Sequence, residues 1–112
     1  MALKDHVVVI TGATSGLGRV VSRRFAEAGS RLALIGTNRA KLTELEGGLN
    51  LPKERMISCI ADLTLSYAAE KVSDTVIGKF GRVDILLHFV GGWISGKPLN
   101  QVTGEEISTM LE

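Results

Sequence analysis

The sequence predicts an α/β fold, a doubly wound parallel sheet with helices on both faces, and three observations predict it. Short apolar runs alternate along the chain with stretches of helical period. The first run, Val7-Val8-Val9-Ile10, has no polar face, as a strand covered on both sides requires. A glycine-rich turn joins that run directly to the first helical stretch. Strands alternating with helices imply a parallel sheet. Right-handed crossovers then restrict the expected strand order to 3-2-1-4.

The elements follow in order. His6 to Ile10 is the first strand, and Thr11 to Gly18 the turn. Leu17, Val20, Val21, Arg24, Phe25 and Ala28 recur at helical spacing, with the stem of Arg24 lying along the stripe and Gly29 as the stop. Arg31 to Ile35 is the second strand, and Asn38 to Leu49 a helix ending near Gly47-Gly48. Arg55 to Ala61 is the third strand, and Leu65 to Phe80 a longer helix closed by Gly81. Val83 to Val90 is the fourth strand, broken by Gly91-Gly92. A loop is expected to about Val102, where Thr103 and Glu106 form a capping box that opens a last helix. With no repeat, low-complexity stretch or linker, residues 1–112 read as one domain.

Composition excludes several classes. A net charge of +1 offers no excess of either sign to nucleic acid or to an acidic membrane surface. No run approaches the roughly 18 apolar residues that cross a bilayer, and the N-terminus lacks a signal-peptide core. Cys59 is the single cysteine, so no internal disulfide forms, and no Cys/His cluster has metal-ligand spacing. Within its apolar run Cys59 reads as a small buried hydrophobe. A reducing, cytoplasmic setting is expected.

The sharpest feature is Thr11-Gly12-Ala13-Thr14-Ser15-Gly16-Leu17-Gly18. A helix N-terminus presents unpaired amides and a positive dipole end, which together attract a pyrophosphate. Gly12, Gly16 and Gly18 let the backbone turn tightly and approach phosphates without a Cβ, and Thr14 and Ser15 add hydroxyls there. The spacing is Gly-x3-Gly-x-Gly rather than the general Gly-x-Gly-x-x-Gly. TGATSGLG resembles the TGxxxGxG signature of the short-chain dehydrogenase/reductase family. The resemblance extends over essentially all 112 residues. It takes in Asp62 after the third strand and DILLHFVGG, where such proteins often read DILVNNAG.

The resemblance implies a Rossmann-type fold and a nicotinamide dinucleotide cofactor. Where NAD-binding proteins carry an acidic residue for the ribose 2′-OH, this chain has Gly36. Thr37, Asn38 and Arg39 follow, a hydroxyl, an amide and a guanidinium suited to a 2′-phosphate. NADP is therefore favoured over NAD, with Arg39 as a solvated first-turn residue the alternative reading. The family's other usual basic residue, just before Gly16, is replaced by Ser15. By resemblance Asp62, with Leu63 beside it, contacts the adenine; as a residue alone Asp62 serves equally as a helix cap. His88, Phe89, Val90 and Gly91 stand where the family has Asn-Asn-Ala-Gly beside the nicotinamide ribose. His88 is either a general base or, the commoner case, a packed and hydrogen-bonded side chain. Trp93 and Ile94 either border a substrate pocket or pack in the loop.

The resemblance also implies a catalytic Ser, and a Tyr-x-x-x-Lys pair on a helix beyond the fifth strand, neither of which this sequence reaches before Glu112, at roughly half the family's length. Tyr67 and Lys71 match the spacing but follow the third strand, on the adenine side, and read as a chance match. The expectation is the NAD(P)(H)-binding portion of an oxidoreductase that moves hydride between nicotinamide and a carbonyl or alcohol. It would be inactive alone and would meet a small-molecule substrate only when the remaining half is supplied. An open edge on the fourth strand would invite self-association. The alternative is a non-enzymatic dinucleotide-binding module or an inactive fragment.

Overall fold

The computed structural model describes residues 4–63, 66–89, 93–94 and 97–98. Four parallel strands form one sheet in the order β3-β2-β1-β4, as expected. They are β1 (Val7–Thr11), β2 (Arg31–Gly36), β3 (Met56–Ile60) and β4 (Ile85–His88). Helices α1 (Gly16–Glu27), α2 (Arg39–Leu49) and α3 (Ser66–Phe80) make the crossovers.

Every residue of β1 is buried, because both of its faces are covered. Val8, Ile10, Leu32 and Leu34 meet Leu17, Val21 and Phe25 of α1 and Leu42, Leu45 and Leu49 of α2. Val7, Val9, Ala33 and Ile35 meet Val72, Val76 and Phe80 of α3. The unbroken apolar run of the first strand is the one-dimensional trace of these two cores.

Local chemistry sets the helix ends. Ser15 caps α1, its Oγ accepting from the Gly18 amide at 3.0 Å. The helix closes in a Schellman arrangement, with Ser30 N–H donating to the Phe25 carbonyl, Gly29 N–H to that of Ala26, and Gly29 at φ +85. Asn38 caps α2 through the Lys41 amide. That helix runs through Gly47 and Gly48 to Leu49, the expected end, because the Leu42, Leu45 and Leu49 stripe holds its last turn on the sheet. Its stop is Asn50 in the left-handed conformation, which Asn tolerates better than most residues.

The outer strands are shorter than the apolar runs. Arg55 belongs to a 3-10 turn ahead of β3, and Val83 and Asp84 precede β4. The expected loop after the fourth strand contains two short strands, β5 (Trp93–Ile94) and β6 (Lys97–Pro98), paired antiparallel. The expected boundaries at Leu65 and Val90 and the Thr103–Glu106 capping box lie outside the described residues. On β4, Leu86 is 63% exposed; it is in register with Val9 and borders a groove beside α3.

Two contacts set how these pieces join. Asp84 Oδ2 accepts from the Val7 amide at 2.8 Å, and the Asp84 amide donates to the Val7 carbonyl at 2.9 Å, so β4 is clamped to the start of β1. The Arg82 guanidinium and then the Val7 amide hold the Asp84 carboxyl below its ordinary range. Arg55 does the same for Asp5, 2.7 Å away. At the other end of β1, a Cβ on Gly18 would lie 2.2 Å from the Gly12 carbonyl oxygen.

Two outcomes are expected. A carboxyl with a depressed folded pKa stabilises the fold above its ordinary pKa of about 4, and that contribution is lost as pH falls through the folded value. Asp84→Ala should therefore lower the urea midpoint at neutral pH, and the gap to the parent should narrow below the carboxylate range. An unchanged gap down to acid pH would show that the charge contributes nothing. Gly18→Ala should cost at least about 1–3 kcal/mol, since backbone and not a flexible side chain fills the space; chemical denaturation measures it.

Candidate functional site

A cleft of about 310 Å³ opens at the C-terminal ends of β1 and β2. Ligands of open α/β sheets bind at this end of the strands. Its walls include Gly12, Thr14 and Ser15 from the turn, Gly36 at the end of β2 with Thr37 after it, Lys41 from the first turn of α2, Asp62 and Leu63 after β3, and Phe89 after β4.

The turn is built almost wholly from backbone. Gly12 has φ +64, and a Cβ on it would lie 2.7 Å from the Phe89 carbonyl oxygen. Its own carbonyl accepts from the Ser15 amide at 3.1 Å and from the Ser15 hydroxyl at 2.7 Å. Ser15 Oγ thus donates to Gly12 and accepts from Gly18, so this hydroxyl shapes the turn rather than standing free for a ligand. The Ala13 amide donates to the Ile35 carbonyl and ties the turn to β2. Gly16 differs from its two neighbours: no atom lies within 4 Å of the position a Cβ would take. Leu17 is 5% exposed, so its side chain belongs to the core and only its amide heads the helix.

Beyond β2 the sequence candidates separate. Thr37 lines the cleft. Asn38 spends its side-chain oxygen on the cap of α2. Arg39 is the first residue of α2, exposed and not part of the cleft wall. Lys41 is part of that wall and was missed from sequence. The available signal was the cap itself, since Asn38 as N-cap makes Lys41 the third helical residue.

Asp62 is exposed on the cleft wall, with Leu63 half-buried beside it. Phe89 is buried, and its amide donates to both Thr11 Oγ1 and the Thr11 carbonyl, each at 3.2 Å. His88 Nδ1 lies 2.7 Å from the same Thr11 hydroxyl. His88 therefore has a hydrogen-bonding partner, and it lines not the cleft but a separate apolar groove of about 390 Å³ among Val9, Val76 and Leu86. Val90 and Gly91 lie outside the described residues. Trp93 and Ile94 are placed as the backbone of β5.

Tyr67 and Lys71 line a third cavity, of about 430 Å³, over β3. That is the opposite edge of the sheet from β4. Cys59 borders this cavity half-buried, and burial pushes its thiol up, away from the reactive thiolate. Among the described residues no group of three or more His, Cys, Asp or Glu could hold a metal ion, and no helix is long and apolar enough to cross a membrane.

Comparison with known proteins follows the same lines. The family model for short chain dehydrogenase matches residues 6–112. An uncharacterized oxidoreductase of Staphylococcus epidermidis is 31% identical over 110 residues, 98% of this chain and 46% of its own length. Sulfoacetaldehyde reductase 2 of Chromohalobacter salexigens is 36% identical over 108 residues, 96% of this chain and 42% of its own. The crystal structure of a short chain dehydrogenase from Bacillus anthracis matches at a TM-score of 0.77 and 28% identity, over 97% of this chain and 44% of that one. A short chain dehydrogenase/reductase from Burkholderia phymatum in complex with NAD matches at 0.71 and 27%, over 77% of this chain and 31% of that one. This chain spans less than half the length of these relatives. The glycine turn, the sheet order and the family match over residues 6–112 agree: the chain belongs to the short-chain dehydrogenase family.

Proposed function

We propose that residues 1–112 form the nicotinamide-dinucleotide-binding part of a cytoplasmic oxidoreductase, one that interconverts a carbonyl and an alcohol on a small molecule. When bound, the cofactor supplies or accepts hydride at its nicotinamide ring. This chain's residues bind and orient it, and the groups that act on the substrate lie in sequence outside this chain.

The observation that carries the reading is the contrast among three glycines of one turn. Gly12 and Gly18 are closed by backbone, so they shape the protein. Gly16 faces open space at the head of α1, where a ligand's phosphates would approach the amides of Gly16 and Leu17. Thr14 lines the cleft at the same point, and Ser15 holds the turn in shape. Asp62 and Leu63 are assigned to the adenosine end. His88, Phe89, Val90 and Gly91 are assigned to the nicotinamide side, with Thr11 holding the first two. Of the segment Thr37-Asn38-Arg39, Thr37 lines the cleft, and the rim at Thr37 is assigned to the 2′-phosphate of NADP, supported by the absence of a carboxylate at Gly36. The likeness to a protein solved with NAD supports a nicotinamide cofactor of either kind.

Gly16→Ala should leave the unfolding free energy from urea titration unchanged within about 0.5 kcal/mol, as surface changes usually do, while weakening NADPH binding. A variant that binds NADPH like the parent would remove the phosphates from this spot. Calorimetric titration of the protein with NADPH and NADH should give saturable binding, tighter for NADPH. Tighter NADH binding would overturn the NADP assignment and keep the site. A folded protein that binds neither would overturn the reading itself.

A further inference from the structure

We infer that Lys41, rather than Arg39, is the cation that selects a 2′-phosphorylated dinucleotide. This rests on the proposed cofactor site and names the residue that sets its preference.

Lys41 lines the cleft together with Gly36 and Thr37, and Arg39 does not. Helical geometry explains why only one of them can face it: two residues along an α-helix differ by about 200° around the axis. The Asn38 cap fixes that rotation, since its side chain accepts from the Lys41 amide at 3.0 Å and places Lys41 in the first turn of α2.

The charges around Lys41 leave it available. Its nearest acidic neighbour along the helix, Glu44, is three residues on and pairs with Arg19 at 3.4 Å. Arg19 in turn donates through Nε to the Thr14 carbonyl of the phosphate turn at 3.0 Å. Lys41 forms no ion pair among the described residues. At the end of β2, Gly36 presents no carboxylate that would repel a phosphate or hold a ribose hydroxyl. An unpaired ammonium, the hydroxyl of Thr37 and the first turn of α2 thus converge on one rim of the cleft. This combination attracts a dianion: the helix start adds its dipole to the point charge of Lys41. A free ribose 2′-OH gains little from it.

The test compares the parent with Lys41→Gln and Arg39→Gln in the intact protein, titrating each with NADPH and NADH. Lys41→Gln should weaken NADPH about tenfold or more, as loss of a charge-assisted hydrogen bond does, and leave NADH within about twofold. Lys41→Arg should recover part of the preference. Arg39→Gln should change neither. Loss of NADPH preference in Arg39→Gln with Lys41→Gln unaffected would overturn the inference and keep the site. Equal weakening of both cofactors by Lys41→Gln would also overturn it, since the residue would then act on the shared part of the ligand. A parent that binds neither cofactor would instead bring down the functional reading on which the inference stands.

Discussion

Three stretches of backbone meet just past the end of β1 with no side chain between them. A Cβ on Gly12 would strike the Phe89 carbonyl, and one on Gly18 would strike Gly12 itself. This close packing lets the first helix start directly against the strand that precedes it, and brings the exit of β4 against the same turn. The cleft exists because of that approach, since its wall is shared by Gly12 and Phe89. Side chains then lock the arrangement. Ser15 bridges Gly12 and Gly18, and Thr11 binds the amide of Phe89 and the imidazole of His88. Asp84 secures the opposite end of β4 against Val7.

Among the described residues the two faces of the sheet are covered unequally. On one, α1 and α2 pack side by side against the alternate residues of β1 and β2. On the other, α3 packs over the middle of the sheet and leaves a groove on each flank. One groove, over β3, is bordered by Tyr67 and Lys71; the other, beside β4, by Leu86 and His88. The Tyr-x-x-x-Lys spacing therefore sits over β3, while His88 and Phe89 belong to β4 and its exit, at the other edge of the sheet.

Among the described residues that line the cleft, charge is sparse and divided between its sides. Asp62 stands after β3, and Lys41 stands at the start of α2. Arg19 does not add to the cations on offer, because Thr14 and Glu44 hold its guanidinium. The sign of the potential near the end of β2 is therefore set by few groups. Gly36, the last residue of β2, adds no charge there.

The sequence by itself determined the strand and helix order, the parallel sheet, the 3-2-1-4 arrangement and the position of the glycine turn. These are legible because they are local or periodic: an apolar run without a polar face, a helical stripe, a cap, a glycine where φ is positive. Tertiary structure decided what each glycine is for, because only the approach of Phe89 to Gly12, 77 positions away in sequence, separates a closed position from the open one at Gly16. It decided that Lys41 and not Arg39 faces the cleft, since the rotation of α2 depends on its cap and on the leucines beneath it. It decided that His88 pairs with Thr11, since strand register sets those two side by side. Periodicity reports which residues share a face; which groups from distant segments meet there is settled only when the strands pair and the helices pack.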